Sequence, residues 1–312
     1  MIKTKTEEMY KAFGFHFSSD IAMPELQIVT NRNIAADITI EKGDLIGVWA
    51  ELANPNSYFF INEECVMYRI PEVAIFSIKG GDRIVYSPLD DAEDDTIRLY
   101  LLGSCMGAIL MQRKILPLHG SAIAIDGKAY AIVGNSGAGK STLASALLSK
   151  GYQLISDDVI PVTITEGVPM VTPAYPQQKL WLESLNHFGM ESDGLRPIID
   201  RETKFAVPVE SQFFNESLPL AGVFELVKTD EEEVKLLPVS KLQRLHTLFY
   251  HTYRNFLIGP MGLMEWHFNT TASFVNKIEL FQLQRPTTHF TAHELTSLIL
   301  STISQESCRM AK

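Results

Sequence analysis

The residues able to do chemistry concentrate in one stretch, KAYAIVGNSGAGKSTLASALLSKGYQLISDD, running from Lys128 to Asp158. Within it Gly134, Asn135, Ser136, Gly137, Ala138, Gly139, Lys140 and Ser141 fill the pattern G-x-x-x-x-G-K-[ST], and Thr142 follows. Such a loop turns successive backbone N–H groups inward around phosphate oxygens, and the following helix adds its positive N-terminal end. Lys140 is spaced to reach the outer phosphates of a nucleoside triphosphate such as ATP, and Ser141 to hold Mg2+. Two carboxylates, Asp157 and Asp158, come only a helix and a turn later. In phosphoryl transfer to an alcohol, one acid takes the hydroxyl proton while another holds the metal.

Such a loop has meaning only between a strand and a helix. Ala129 to Val133 is an apolar run bounded by glycine, the pattern of a buried strand, and Ser141 to Lys150 places apolar residues at helical spacing before Gly151. Upstream, Ser121 to Ile125 and Lys128 to Val133 read as two strands joined at Asp126 and Gly127, so the loop should follow a hairpin rather than the first strand of a parallel βαβ unit. Downstream, Tyr152 to Ser156 reads as a short strand ending in the acid pair. The Pro- and Gly-rich stretch from Pro161 to Pro208 then supplies Lys179, Arg196, Arg201 and Lys204, candidates for stabilising charge on the transferring phosphoryl group or the substrate.

Residues 1–95 read as a β-rich N-terminal module, with strands expected at Phe13 to Phe17, Ile38 to Ile40, Tyr58 to Ile61, Cys65 to Ile70, Ala74 to Ile78 and Arg83 to Tyr86. The acidic run Asp90, Asp91, Glu93, Asp94, Asp95 precedes a helix over Thr96 to Arg113 and marks the boundary to a second module, 96–312. Beyond the site, Gly222 to Lys228 and Glu233 to Pro238 suggest a hairpin. Helices follow Ser240 and Met264, then a strand over Ile278 to Gln284, and a last helix opens on the capping box Thr291 to Glu294. The expected fold class is α/β, of the mixed α+β kind. The histidines His246, His251, His267, His289 and His293 form no ligand pair with a supporting carboxylate and are assigned to helix surfaces and packing.

The chain as a whole narrows the function further. Its 312 residues are 46% hydrophobic and 21% charged, enough for a substantial core, and a formal charge of -10 excludes a general nucleic-acid binder. The N-terminus lacks the apolar segment of a signal peptide, and the longest apolar run, Leu99 to Met111, is too short to span a membrane. Three dispersed cysteines, Cys65, Cys105 and Cys308, suit a reducing compartment, so a cytoplasmic protein with no membrane and no nucleic-acid partner is expected.

The string LHGSAIAIDGKAYAIVGNSGAGKSTLASALLSKGYQLISDDV resembles the core of the HPr kinase/phosphorylase family, in which a His-Gly pair, a hairpin, the phosphate loop, a helix and an Asp pair follow in this order. The resemblance covers roughly Leu116 to Val159. It implies a P-loop core of the type shared with phosphoenolpyruvate carboxykinase, ATP and Mg2+ as cofactors, kinase chemistry on a serine hydroxyl, and a homo-oligomer. With it the expected roles are Asp157 as general base, Lys140 on the outer phosphates, and Asp158, with Ser141, as metal ligand, and it adds His119 to the catalytic residues; by itself a histidine before a glycine reads equally as a packed one. The chain departs from the family at Thr142, where the family has an acidic residue, and in lacking the segment tied to phosphorylase activity. Both departures argue against HPr as the substrate and against the reverse reaction. The longer pattern, with AFGF near the start, PAYPQQKLW after the acids and KFAVPV beyond, resembles the branch found with lasso-peptide biosynthesis. That resemblance implies a precursor peptide as partner, phosphorylated on its C-terminal serine. Two alternatives share the same motifs: a small-molecule hydroxyl kinase, and a nucleotide-gated binding module or ATPase with no acceptor.

Overall fold

Strand-forming segments dominate the first part of the chain, and their alternation shows how they pack. In the computed structural model, which describes residues 8–310 except 32, 55, 90, 91, 199 and 200, and not the side chains of 201, 202 and 306–310, eight strands form one sheet. Their order is Gln27–Ile28, Glu8–Ala12, Phe15–Ser19, Ile38–Lys42, Arg83–Pro88, Ala74–Lys79, Cys65–Ile70 and Phe59–Ile61. The strand expected over Phe13 to Phe17 begins at Phe15, because Phe13 and Gly14, both with positive φ, form the tight turn that joins it to Glu8–Ala12. Along Cys65–Ile70 the residues Val66 and Tyr68 enter the main core while Cys65 and Met67 pack on Trp49 of the helix Ile46–Leu52, as the two-residue period requires. Both faces of the sheet are thereby covered. Cys65 and Cys105 are buried free thiols, in line with their reading as packing residues; the Cys308 side chain lies outside the described residues.

The other face is covered by one continuous helical run, Asp94–Gln112, with Asp94 and Asp95 in its first turn, where negative charge is favoured. Asp90 and Asp91 of the acidic run lie outside the described residues. The middle of this run, Leu101–Cys105, is π-helical. The extra residue per turn at a π-bulge redirects side chains and is common at functional sites. Ile97, Leu101, Leu102 and Met106 share a core with Phe17, Phe76 and Tyr68 of the sheet and with Val159 and Tyr253 of the later chain, so the apolar core runs across the expected boundary at residue 96.

The second sheet carries the site. Leu116–Ile125 and Lys128–Gly134 form the expected hairpin, and Leu116–Ile125 also pairs antiparallel with a long strand, Gln153–Thr165. On the other side of Lys128–Gly134 lies Leu218–Thr229, parallel to it, and then Glu279–Pro286, also parallel. The fold is mixed α/β. The hairpin expected between Gly222 to Lys228 and Glu233 to Pro238 does not form: Lys235–Pro238 pairs with Glu279–Pro286, which lies between the two. The charged connection Asp230, Glu231, Glu232, Glu233 carries the chain over that strand instead of turning tightly. The three parallel strands end on the same side, and ligands in α/β sheets bind at such carboxyl ends.

His267, on the helix Met264–Phe274, is 3% exposed, and its Nε2 lies 2.8 Å from Thr252 Oγ1, whose own proton goes to the Leu248 carbonyl. The hydroxyl proton is therefore already used, and His267 donates as a neutral imidazole. Burial lowers its pKa from 6.5 to about 4. The unfolded chain binds this proton below about pH 6.5 and the folded chain does not, so stability drops as pH falls through that window. We expect unfolding free energy at pH 5 to be about 2 kcal/mol below that at pH 7 from this group. Urea titrations at both pH values check this, and His267→Gln should flatten the slope.

Candidate active site

Register across three strands places the groups. Val133, the last residue before the phosphate loop, lies opposite Gly120, and Gly120 lies opposite Asp158. One row thus joins the loop to the acids through a residue with no side chain. A Cβ on Gly120 would sit 2.1 Å from the Ile132 carbonyl oxygen, a backbone atom that cannot move aside without parting the hairpin. Gly120→Ala is therefore expected to destabilise the protein by about 3 kcal/mol, read from the shift in the urea midpoint. This accounts for the glycine that follows His119.

The loop adopts the curled form the motif requires, with φ of 76° at Gly137 and 103° at Gly139, and the helix Lys140–Leu148 begins directly after it. Lys140 Nζ donates to the carbonyls of Gly134 (2.9 Å) and Asn135 (3.1 Å), holding its charge inside the loop. Burial lowers its pKa, opposed by the nearby Asp157 and Asp158 carboxylates. Arg285, at the end of its parallel strand, donates through Nε to the Ala138 carbonyl at 2.7 Å and braces the loop from behind. No motif marks Arg285, which becomes visible only when its strand is placed in the sheet.

The acid pair does not end a strand but lies within Gln153–Thr165. Ile155 bulges out of the pairing with Leu116–Ile125, and Asp158 has φ of 72°, in the left-handed region. Consecutive residues of a regular strand point to opposite faces, and this local break lets both carboxylates border one cavity of about 560 Å³ with Lys140, Ser141 and His119. Asp157, 5% exposed, accepts from Ser121 Oγ at 2.5 Å, Ser141 Oγ at 3.1 Å and the Lys179 backbone N–H at 2.9 Å. Burial raises its pKa against those donors. The side chain of Asp158 is 22% exposed and its Oδ2 meets Lys179 Nζ at 2.7 Å. Burial acts to raise the Asp158 pKa, but Lys179 and then His119 outweigh it and hold the carboxyl well below the usual range. The structure thus pairs Ser141 with Asp157, while Asp158, expected beside Ser141 as metal ligand, bonds Lys179.

His119 approaches the carbonyl oxygen of Asp158 through Nδ1 at 3.0 Å, and a carbonyl only accepts, so Nδ1 carries the proton. Burial first, and Lys140 further, lower its pKa to about 4 against the pull of Asp158. The ring is therefore neutral near pH 7.

The basic candidates separate. Lys179 and Lys204 border the cavity, Lys204 with its Nζ 5.6 Å from the centre of the Trp181 ring. Arg196 does not: it pairs with Glu25 at 2.7 Å and Asp95 at 2.8 Å, tying the three-stranded sheet of Gln177–Trp181, Arg201–Pro208 and Arg196–Ile198 to the N-terminal segment. The Glu25 side chain, 8% exposed, also pairs with Arg98, so Arg196 belongs to an ion network set apart from the cavity. The Arg201 side chain lies outside the described residues. Thr142 Oγ1 is 2.8 Å from Ser184 Oγ, joining the loop helix to the helix Leu182–His187. His251, expected only to pack, has a carboxylate partner: its Nε2 donates to Glu225 at 2.9 Å beside the loop. Its segment also lines the cavity with Tyr253 and Arg254, neither of which carries a sequence signature.

A glycine-curled loop with its lysine, beside a hydroxyl paired with a carboxylate, is an arrangement suited to phosphate groups. No family model matches the chain. It is similar to curated proteins named HPr kinase/phosphorylase: 32% identical over 111 residues to that of Mycoplasmopsis pulmonis, covering 32% of this chain and 35% of the relative. To that of Nitrosomonas europaea it is 25% identical over 185 residues, 55% of this chain and 54% of the relative. The matched part spans from about a third to about half the length of these two relatives. A solved structure, the Hpr(Ser) kinase/phosphatase from Coxiella burnetii, aligns over 63% of this chain and 99% of its own with a TM-score of 0.31 and 15% identity. Among the described residues no helix is long and apolar enough to cross a membrane, and no cluster of three or more His, Cys, Asp or Glu side chains forms a metal site.

Proposed function

We propose that the protein is an ATP-dependent kinase that phosphorylates a serine hydroxyl of a peptide, the C-terminal serine of a lasso-peptide precursor being the acceptor that the sequence resemblance favours. The single observation that carries the kinase reading is the pair of unlike carboxylates on one cavity, Asp157 bonded to Ser141 and Asp158 turned toward the cavity beside His119 and Lys179. A nucleotide-gated module needs only the first of them.

The donor set at Ser141 and Asp157, one hydroxyl and carboxylate oxygens, suits Mg2+, a hard cation that prefers oxygen. Bound there, Mg2+ would supply charge neutralisation at the phosphates. Lys140 releases the loop carbonyls to meet the outer phosphates, and the loop N–H groups orient the chain of phosphates for in-line transfer. Asp157 has its oxygens committed to Ser121, Ser141 and Lys179, whereas Asp158 is the more open acid; these contacts support Asp158 as the acceptor of the serine proton and Asp157 as the metal-side carboxylate, the reverse of the division expected with the family resemblance. The ionised carboxylate receives the hydroxyl proton as the serine oxygen bonds to the γ-phosphorus of ATP and the bond from that phosphorus to the β-phosphate oxygen breaks, releasing ADP. His119, neutral, positions Asp158 through its backbone carbonyl.

The test is incubation with γ-labelled ATP and Mg2+ against serine-terminated peptides in parallel with a panel of hydroxylated metabolites. Label on the peptide alone supports the reading. Label on a metabolite alone makes the protein a small-molecule kinase, and release of phosphate with no labelled acceptor makes it an ATPase.

A further inference from the structure

One cation on the cavity wall has no partner charge. Arg254 is exposed and borders the cavity, and among the described residues it forms no ion pair; its Nη2 donates to Ser104 Oγ at 2.9 Å and its guanidinium lies 5.7 Å from the centre of the Tyr253 ring. The titratable groups nearest it, Tyr68, Tyr253 and Cys105, are kept protonated by burial and leave its charge standing. By contrast, Lys179 is spent on Asp158.

Its placement is built. Arg254 holds a left-handed backbone (φ 52°, ψ 45°), a costly conformation for a residue with a side chain that persists only where the surroundings impose it. They do so here: the His119 N–H donates to the His251 carbonyl at 2.7 Å, and the Tyr253 N–H to the Pro117 carbonyl at 2.8 Å. The segment is thus bonded to the strand that presents His119. Across the cavity, the π-helical turn delivers Ser104 to the guanidinium, and Gly103 of the same turn leaves room for the Tyr253 hydroxyl. Arg254 therefore stands on the His119 side of the cavity, beside the acceptor, while the phosphates have Lys140 and the helix N-terminus.

We propose that Arg254, steadied by Ser104, binds a carboxylate carried by the acceptor next to its hydroxyl, so that the enzyme selects a serine with a free α-carboxylate. This rests on the kinase reading and narrows it to a terminal residue. A planar fork of N–H donors matches a carboxylate in two parallel hydrogen bonds, and an amide offers it neither the charge nor the second oxygen.

The probes are N-acetyl-L-serine and N-acetyl-L-serinamide, given to the full chain loaded with Mg2+ and a non-hydrolysable ATP analogue, with melting temperature as the readout. The acid should stabilise the wild-type chain and the amide should not; Arg254→Gln should lose the effect while melting normally without ligand, and Arg254→Lys should keep a part of it. With ATP and random peptide mixtures ending in serine, the free acid should exceed the C-terminal amide in kcat/KM by about ten- to a hundredfold, and Arg254→Gln should erase that ratio. Equal shifts by acid and amide, no shift by either, or an equal loss of kcat for both peptide forms in Arg254→Gln would overturn the proposal. An acid-specific shift without any transfer of label would leave the carboxylate subsite standing and remove the kinase reading; transfer to acid and amide alike would do the opposite.

Discussion

Asp158→Asn is expected to bind ATP and Mg2+ within about twofold of the wild type and to lose kcat by about a thousandfold, the usual worth of a positioned base. Asp157→Asn is expected to act differently. Its carboxylate is the one bonded to the Ser141 hydroxyl, so removing its charge should raise the Mg2+ concentration needed for half-maximal rate by about ten- to a hundredfold, with part of the rate recovered at high Mg2+. The two substitutions are nearly isosteric, and both side chains keep an oxygen for their neighbours. Titration of rate against Mg2+ for each variant, beside equilibrium binding of a fluorescent nucleotide, separates the roles. Rescue of Asp158→Asn by Mg2+, with none for Asp157→Asn, would return the base to Asp157.

The geometry behind this proposal lies where sequence reading reaches its limit. The loop was legible because its glycines and lysine act through a local backbone shape, which a fixed spacing encodes. The hairpin before it was legible from Asp126 and Gly127, again a local signal. The acids were found as a pair, but which of them faces Ser141 depends on a bulge at Ile155 and a left-handed Asp158, and neither leaves a mark in residue type. Arg196 looked like Lys179 in the sequence. Only the long-range contact with Glu25, more than 170 positions away, draws it to another network. The false hairpin after Gly222 failed for the same reason, since a strand from much later in the chain enters between its halves. The positions of Arg254 and Arg285 were unreadable because each is set by packing between distant parts of the chain, Arg254 near His119 and Arg285 behind Ala138.

Lys179→Met should bring an acid limb into the pH profile. In the wild type the ammonium at 2.7 Å holds Asp158 ionised well below the working range, so kcat/KM near pH 5 to 7 should show no loss from this group. Without the ammonium, burial is the largest influence on Asp158 and favours the protonated, inactive acid. Loss of this neighbouring cation should raise the apparent pKa, and rate should then fall as pH is lowered through the raised value. The same change should raise the His119 pKa, because Lys179 is among the charges that lower it. At pH 8 the variant should recover most of its rate if Lys179 serves mainly to keep Asp158 charged. A loss of kcat of the same size at every pH would instead assign Lys179 to the transferring phosphoryl group, where a cation stabilises the transition state whatever the protonation of the base.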